Sequence, residues 1–312
     1  RSPTYSRFEV RPGQFFSFMV EGSMFYQLPD NRRRILFVEP ERGLGGCGTV
    51  VTLVAHRDDA SQLPQEWKKL RHWMKQHHYL KGQVIRSSGR LIGKSERVDW
   101  DDIALSDELH QRLKRNIVDV LDRRDLFRQN GIPQKRGILL YGPPGTGKTM
   151  IGKVLSHNAR ATFIWVTVAD LANGAISIRH VFSMARRLGP SILFFEDLDL
   201  FAGNRDWFGR TEALGELLSQ MDGLEKNDGL IVVATTNDLE AIEPALKDRP
   251  SRFDAVLNIP LPEASARRQI LEKHLDRFTG AEKIMDDGVA ATEGFSGAQV
   301  REVAILIVQA AI

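Results

Sequence analysis

The sequence predicts an α/β fold: a three-layer core with a parallel sheet covered by helices on both faces, a small helical lid after it and a small mixed α+β domain before it. Three observations lead there. The runs Gly137–Tyr141, Phe163–Val168, Ser191–Phe195 and Leu230–Ala234 are almost continuously apolar and are separated by stretches of helical period, as expected of strands buried on both faces. The first run opens into a glycine-rich turn and then a helix. After Pro260 strand signals stop and helical periodicity takes over.

Residues 1–93 read as the mixed domain. Phe15–Val20, Met24–Leu28, Arg34–Val38 and Thr49–Val54 are rich in β-branched and aromatic residues, and Glu21-Gly22, Pro29-Asp30-Asn31 and the glycines from Gly43 to Gly48 separate them as turns. A helix is expected over Pro64–His78, with Trp67, Leu70, Trp73 and Met74 on one face. Gln83–Arg86 and Arg90–Gly93 read as a strand pair turning at Ser87-Ser88-Gly89. Arg32-Arg33-Arg34 is expected to be a solvated turn, and His72, His77 and His78 lack the Cys or carboxylate spacing of a metal site. The domain holds no catalytic constellation, so it is expected to serve as an adaptor or assembly module, or as a structural cap.

Residues 94–259 form the expected core, entered through an amphipathic helix over Leu109–Leu121. The run Gly142-Pro143-Pro144-Gly145-Thr146-Gly147-Lys148-Thr149 matches G-x-x-x-x-G-K-[ST] and sits between an apolar strand and a helix beginning at Lys148. Glycines in such a turn let backbone N–H groups converge on phosphate oxygens, and the helix start adds the positive end of its dipole. Lys148 is placed to neutralise the terminal phosphates of a nucleotide and Thr149 to ligate magnesium; Met150 closes the run of expected nucleotide contacts.

A second acidic element completes that chemistry. Glu196-Asp197 follows the buried run Ile192–Phe195, at the strand end where open sheets place their ligands. A carboxylate there is costly unless it is used. Glu196 is expected to hold magnesium through its water shell and Asp197 to orient or deprotonate an attacking water. Asn237 ends the next strand; on the residues alone it is a cap, a contact to the γ-phosphate or a holder of the lytic water. Arg249 and Arg252 read as surface ion-pairing residues or as guanidinium forks for a transferring phosphoryl group.

Residues 260–312 are the expected lid, helical over Glu263–Leu275, Glu282–Ala290 and from Ala298 onward, the chain ending within its last helix.

Composition narrows the class. The chain has 312 residues, 43 basic against 40 acidic, and a formal charge of +3, a balance that speaks against nucleic-acid binding. Its one cysteine, Cys47, forms no disulfide framework within the chain, and no apolar run is long enough to span a bilayer, so a cytoplasmic setting is the expectation. The start Arg1-Ser2-Pro3 reads as a fragment, leaving open a membrane contact through segments outside it.

Together these motifs resemble the AAA family of P-loop ATPases over about residues 98–312. The resemblance implies ATP and Mg2+ as ligands, Ile103 and Ala104 packed around the adenine, and Gly297 and Ala298 of Gly294-Phe295-Ser296-Gly297-Ala298 as the lid element approaching it. It implies Asn237 as a sensor of the γ-phosphate, and Arg249 and Arg252 as fingers offered to a neighbouring subunit. The implied assembly is a homo-oligomer, usually a hexameric ring, remodelling or translocating a protein client. Three departures stand out. The acids run Glu-Asp, the reverse of the family's usual order, which resembles the Bcs1-type subgroup. The segment Asp170–Ser177 is shorter than the family's central pore loop and lacks its aromatic residue. Ser251 replaces a glycine, and one extra residue precedes the two arginines. A nucleic-acid motor or loader, and a slow nucleotide-gated scaffold, are the competing readings.

Overall fold

The computed structural model of the chain describes residues 4–11, 14–40, 49–93, 97–132, 134–172, 176–202, 210–222, 227–242, 252–276 and 280–311. It forms two compact units, Arg1–Lys81 and Gly82–Ile312.

The first unit is an antiparallel sheet, β1 (Thr4–Arg11), β2 (Gln14–Gln27), β3 (Arg33–Pro40) and β4 (Thr49–Ala55), in that spatial order, followed by helix α1 (Leu63–Gln76). The two strands expected over 15–28 are one. The expected turn at Glu21-Gly22 is instead the point where β2 changes partner, its first half pairing with β1 and residues from Gly22 onward with β3. Continuous pairing holds the segment extended through its turn residues. Arg34 also departs from expectation. Its register opposite Tyr26 buries the side chain, and a guanidinium out of water needs carboxylates around it. Nε and Nη2 donate to Glu66 at 2.8 and 2.7 Å, and Nη1 donates to Asp59 at 2.9 Å. These bonds tie β3 to α1.

That tie carries a pH signature. The Arg34 hydrogen bonds hold the Glu66 carboxyl below its ordinary value. A depressed carboxyl stabilises the fold above its unfolded pKa, about 4.3, and the contribution is lost as pH falls through the folded value. Glu66→Gln is therefore expected to lower stability at neutral pH and to flatten the acid limb of a tryptophan-fluorescence unfolding titration. An unchanged acid limb would show that the pair contributes nothing.

The second unit is built on a six-stranded parallel sheet in the order β10–β6–β9–β8–β7–β5. Its strands are β5 (Val84–Arg86), β6 (Arg136–Tyr141), β7 (Thr162–Val166), β8 (Ser191–Phe195), β9 (Leu230–Thr236) and β10 (Ala255–Asn258). The hairpin expected at 83–93 is present but short, with Arg86 N donating to Arg90 O at 2.8 Å and Ile92 N donating to Val84 O at 2.9 Å across the turn. Its ladder is the single bridge Ile85 to Leu91, and Val84–Arg86 also pairs in parallel with Phe163–Trp165. The boundary expected at 93 therefore moves to Lys81/Gly82, because backbone pairing with β7 takes β5 into the larger sheet.

Helices cover both faces. In chain order they are α2 (Asp107–Leu113), α3 (Asp119–Asp122), α4 (Arg124–Gln129), α5 (Lys148–Asn158), α6 (Val168–Ala172), α7 (Ile178–Leu188), α8 (Asp199–Ala202) and α9 (Arg210–Asp222). A π-helical stretch, Lys114–Val118, joins α2 to α3. Ile138, Leu140, Ile192 and Phe194 point to the face where Leu113, Ile117, Ile151 and Leu155 pack. The alternate residues Leu139, Leu193 and Phe195 are equally buried, and Phe182 of α7 lies 6.3 Å from Phe195. Burial of both alternating sets is why these strands are continuously apolar and why the core has three layers. The lid follows as α10 (Ala264–Leu275), α11 (Ala281–Ala291) and α12 (Gly297–Ala311), closed around Leu271, Leu275, Met285, Val300 and Ala304. Among the described residues no helix is long and apolar enough to cross a membrane.

One packing contact limits how closely α5 and β8 can approach. A Cβ on Gly152 of α5 would stand 2.6 Å from the ring of Phe194 in β8. Phe194 is fully buried, so it has little room to yield. Overpacking of this kind costs about 1–3 kcal/mol, against about 1 kcal/mol that alanine gains over glycine inside a helix. Gly152→Ala is therefore expected to lower the chemical-denaturation midpoint, and a raised midpoint would contradict this packing.

Candidate active site

A cavity of about 560 Å³ opens between the β6–α5 loop, the segment around Ile103 and the lid helices α10 and α12. Its floor begins where β6 ends. Gly142 has φ +151, and a Cβ there would stand 2.1 Å from the carbonyl oxygen of Ile259. Only glycine lets the chain turn that close to β10. Gly147, at φ +100, then caps α5, whose first N–H groups have no acceptor inside the helix.

Lys148 is 6% exposed, and its Nζ donates to the carbonyls of Gly142 and Pro143 at 2.7 and 2.8 Å. Burial lowers its pKa, while the charges of Asp197 and Asp199 oppose that shift. These carbonyls engage two of the three donors of an ammonium, so one remains for a ligand anion. The Thr149 hydroxyl lies beside it and donates to Glu196 Oε1 at 2.5 Å. A hydroxyl and one carboxylate suit magnesium, which keeps much of its shell as water and phosphate oxygen. Among the described residues no group of three His, Cys, Asp or Glu side chains forms a protein-only metal cage.

Asp197 occupies the left-handed region at φ +55, which aspartate tolerates better than most residues. β9 pins it there: its N–H donates to Thr235 Oγ1 at 3.0 Å, and the next N–H, of Leu198, donates to Thr235 O at 2.7 Å. Asn237 Nδ2 donates to Asp197 Oδ1 at 3.3 Å. Burial, then the charges of Glu196 and Asp199, push the Asp197 carboxyl up. A raised carboxyl beside an amide donor is the environment of a general base.

The other sequence-derived positions divide into two groups. Ile103, Ala104, Met150, Gly297 and Ala298 line the same cavity, and Ala298 N donates to Gly145 O at 3.1 Å, bringing lid and loop into contact. Arg249 lies outside the described residues, as do residues 173–175 of the expected short pore loop; Asp170–Ala172 are helical. Arg252 stands apart from the cavity. Of the two readings as a surface ion-pairing residue or a free guanidinium fork, neither is met as it stands: Arg252 is ion-paired but buried, with Nε 2.8 Å from Asp222 Oδ2. Its carbonyl abuts Gly137, at the start of β6, while the phosphate loop leaves from the other end of that strand.

Several other residues neighbour the site. Asp199 Oδ1 accepts from Thr236 Oγ1 at 2.9 Å and from Asn237 N at 3.0 Å; its place two residues after Asp197 was a visible signal. Lys273 clasps Asp102 at 2.5 Å, linking lid to core next to Ile103, and His274 and Arg301 also line the cavity. Burial and the nearby cations Arg301 and Lys273 hold the His274 pKa down. Nothing local in the sequence marks these lid residues, because the fold alone brings α10 to residue 102.

Residues 138–261 match the family described as ATPase family associated with various cellular activities (AAA). Among curated proteins, the proteasome-activating nucleotidase of Methanosarcina mazei is 38% identical over 223 residues, 68% of this chain and 53% of that protein. Those of Sulfurisphaera tokodaii and Aeropyrum pernix are 36% and 35% identical, over 66% and 69% of this chain and 55% of each relative. The chain thus spans about half the length of the curated relatives it matches.

Proposed function

Because residues 138–261 form an AAA domain, we propose that this chain hydrolyses ATP with magnesium and couples the reaction to remodelling or translocation of a protein client, as one subunit of a homo-oligomeric, hexameric ring. One observation carries the chemistry: Lys148, Thr149, Asp197 and Asn237, from the ends of three neighbouring strands, line one cavity large enough for a nucleotide, and Glu196 accepts from Thr149.

In this reading the base lies against Ile103, Ala104, Gly297 and Ala298, and the phosphates lie along the loop N–H groups and Lys148. Thr149 and Glu196 hold the metal. Magnesium, when bound, neutralises charge on the phosphate oxygens as the γ-phosphoryl group leaves. Asp197 takes the proton of the attacking water, and Asn237 orients the carboxylate that does so.

The reversed acidic order leaves these roles with the positions. Glu196, the first acid, meets the loop threonine, and Asp197, the second, meets Asn237. Only the reach differs, since the base is one methylene shorter.

Arg249 and Arg252 are the proposed fingers to the neighbouring site, and the test compares nucleotide occupancy with phosphate release. Arg249→Ala and Arg252→Ala are expected to keep ATP bound and to lose turnover by 10³-fold or more, roughly the worth of an arginine finger. Asp222→Asn, which breaks the Arg252 ion pair and keeps the guanidinium, serves as the structural control. Normal turnover in both arginine variants would remove the intersubunit assignment.

The finer client assignment rests on few features. The Glu-Asp order and the absence of an aromatic residue from Asp170 to Ser177 favour a Bcs1-type ring acting on a folded client. The matched relatives are instead named for activating the proteasome. Stimulation of the ATPase by a folded protein or by an unstructured polypeptide separates the two. ATP-bound, assembled protein with undetectable phosphate release would favour the gated scaffold.

A further inference from the structure

The side chain that organises the metal-facing acid lies in a strand that no motif marks. Trp165 Nε1 donates to Glu196 Oε2 at 3.1 Å, while the other carboxylate oxygen, Oε1, accepts from Thr149. The sheet explains the meeting. Trp165 is opposite Phe194 in the parallel β7–β8 register, and Glu196 is two residues further along, on the same face and within diagonal reach of a long side chain. The indole is wedged in place, with ring centroids 4.8 Å from Phe194 and 5.7 Å from Phe163. An indole N–H is a donor only, so the direction of this contact is fixed.

Resting on the ATPase reading above, we propose that Trp165 is a positioning residue for the divalent cation that accompanies the nucleotide. It holds Oε2 of Glu196, so that Oε1 is presented beside the Thr149 hydroxyl in one orientation. Partners that orient a metal-binding carboxylate in this way typically change metal affinity by about 10–100-fold when removed. The aromatic body of Trp165 belongs to the core, but the N–H belongs to the site.

Trp165→Phe keeps a ring and removes the donor. Equilibrium binding of a fluorescent ATP analogue to the full chain would be measured in EDTA and across a Mg2+ titration. The metal-free affinity is expected to stay within about two-fold, and the Mg2+ midpoint to rise about ten-fold or more. Equal midpoints in the two proteins would overturn the role of Trp165, as would equal losses with and without metal, which would mark a packing role only. Absence of any Mg2+ effect in the unsubstituted chain would instead overturn the ATPase reading itself. Should Trp165→Phe fail to fold, Glu196→Ala provides the second arm: of the five indole N–H resonances, one is expected to shift in 15N spectra. No shift in any of them would overturn the hydrogen bond on which the proposal stands.

Discussion

Lys148→Ala is expected to weaken nucleotide binding about 100-fold while the fold persists. The amine is buried across the loop, anchored by two carbonyls, and presents its remaining donor to the cavity beside Thr149. Bringing a phosphate chain to this place without the cation leaves its charge uncompensated in a partly dehydrated site. Hydrogen bonds to charged groups contribute about 1.5–3 kcal/mol each, so loss of the ammonium removes about 3 kcal/mol, or about 100-fold in Kd. The effect on stability is small by comparison, because the burial that lowers the Lys148 pKa opposes what the carbonyls contribute. Lys148→Arg is no rescue, since a planar five-donor fork does not fit between two carbonyls spaced for an ammonium. Titration calorimetry with ATP, beside far-UV circular dichroism, checks both parts. A Kd within three-fold of the unsubstituted value would remove Lys148 from the site.

Asp197→Asn is expected to separate binding from turnover. Removing a general base costs about 10²–10⁴-fold in rate, whereas the groups that hold the phosphates are untouched. The variant should therefore retain ATP and release almost no phosphate. Asparagine also tolerates the left-handed backbone at this position, so the turn is preserved.

The pH dependence follows from the raised carboxyl. Only the ionised form accepts a proton, so kcat/KM of the unsubstituted protein is expected to rise with pH through a value above that of an ordinary aspartate. For stability the sign is the opposite. A carboxyl whose folded pKa is raised stabilises the fold below its unfolded value, and that contribution is lost as pH rises through the folded value. At neutral pH the charge on Asp197 therefore opposes folding, against Glu196 and Asp199 beside it. Asp197→Asn is expected to melt at or above the temperature of the unsubstituted chain while turnover collapses. A lower Tm together with normal turnover would place Asp197 among the structural residues.

Local pattern made much of this legible. The phosphate loop, the acids after β8 and Asn237 after β9 are marked by what immediately surrounds them, an apolar run that must be a buried strand and polar residues at its end. Less was legible in the first unit. The Glu21-Gly22 pair reads as a turn, yet pairing on both sides keeps β2 extended, and Arg34 reads as a surface charge until its register sets it against Glu66 and Asp59. Val84–Arg86 reads as half of a hairpin, which it is, but the parallel partner it also takes was not legible because that partner is nearly eighty residues away in the chain.

By itself the sequence determined the layered core, the strand–loop–helix turn and which polar groups stand at the strand ends beside it, because each depends on burial period or backbone conformation within a few residues. Only the tertiary structure decided which oxygen of Glu196 faces Thr149, that Trp165 holds the other, that Lys273 closes on Asp102 and that Arg252 is paired with Asp222. Those contacts join residues from separate elements through strand order and helix approach, and no period along the chain records where a distant side chain will arrive.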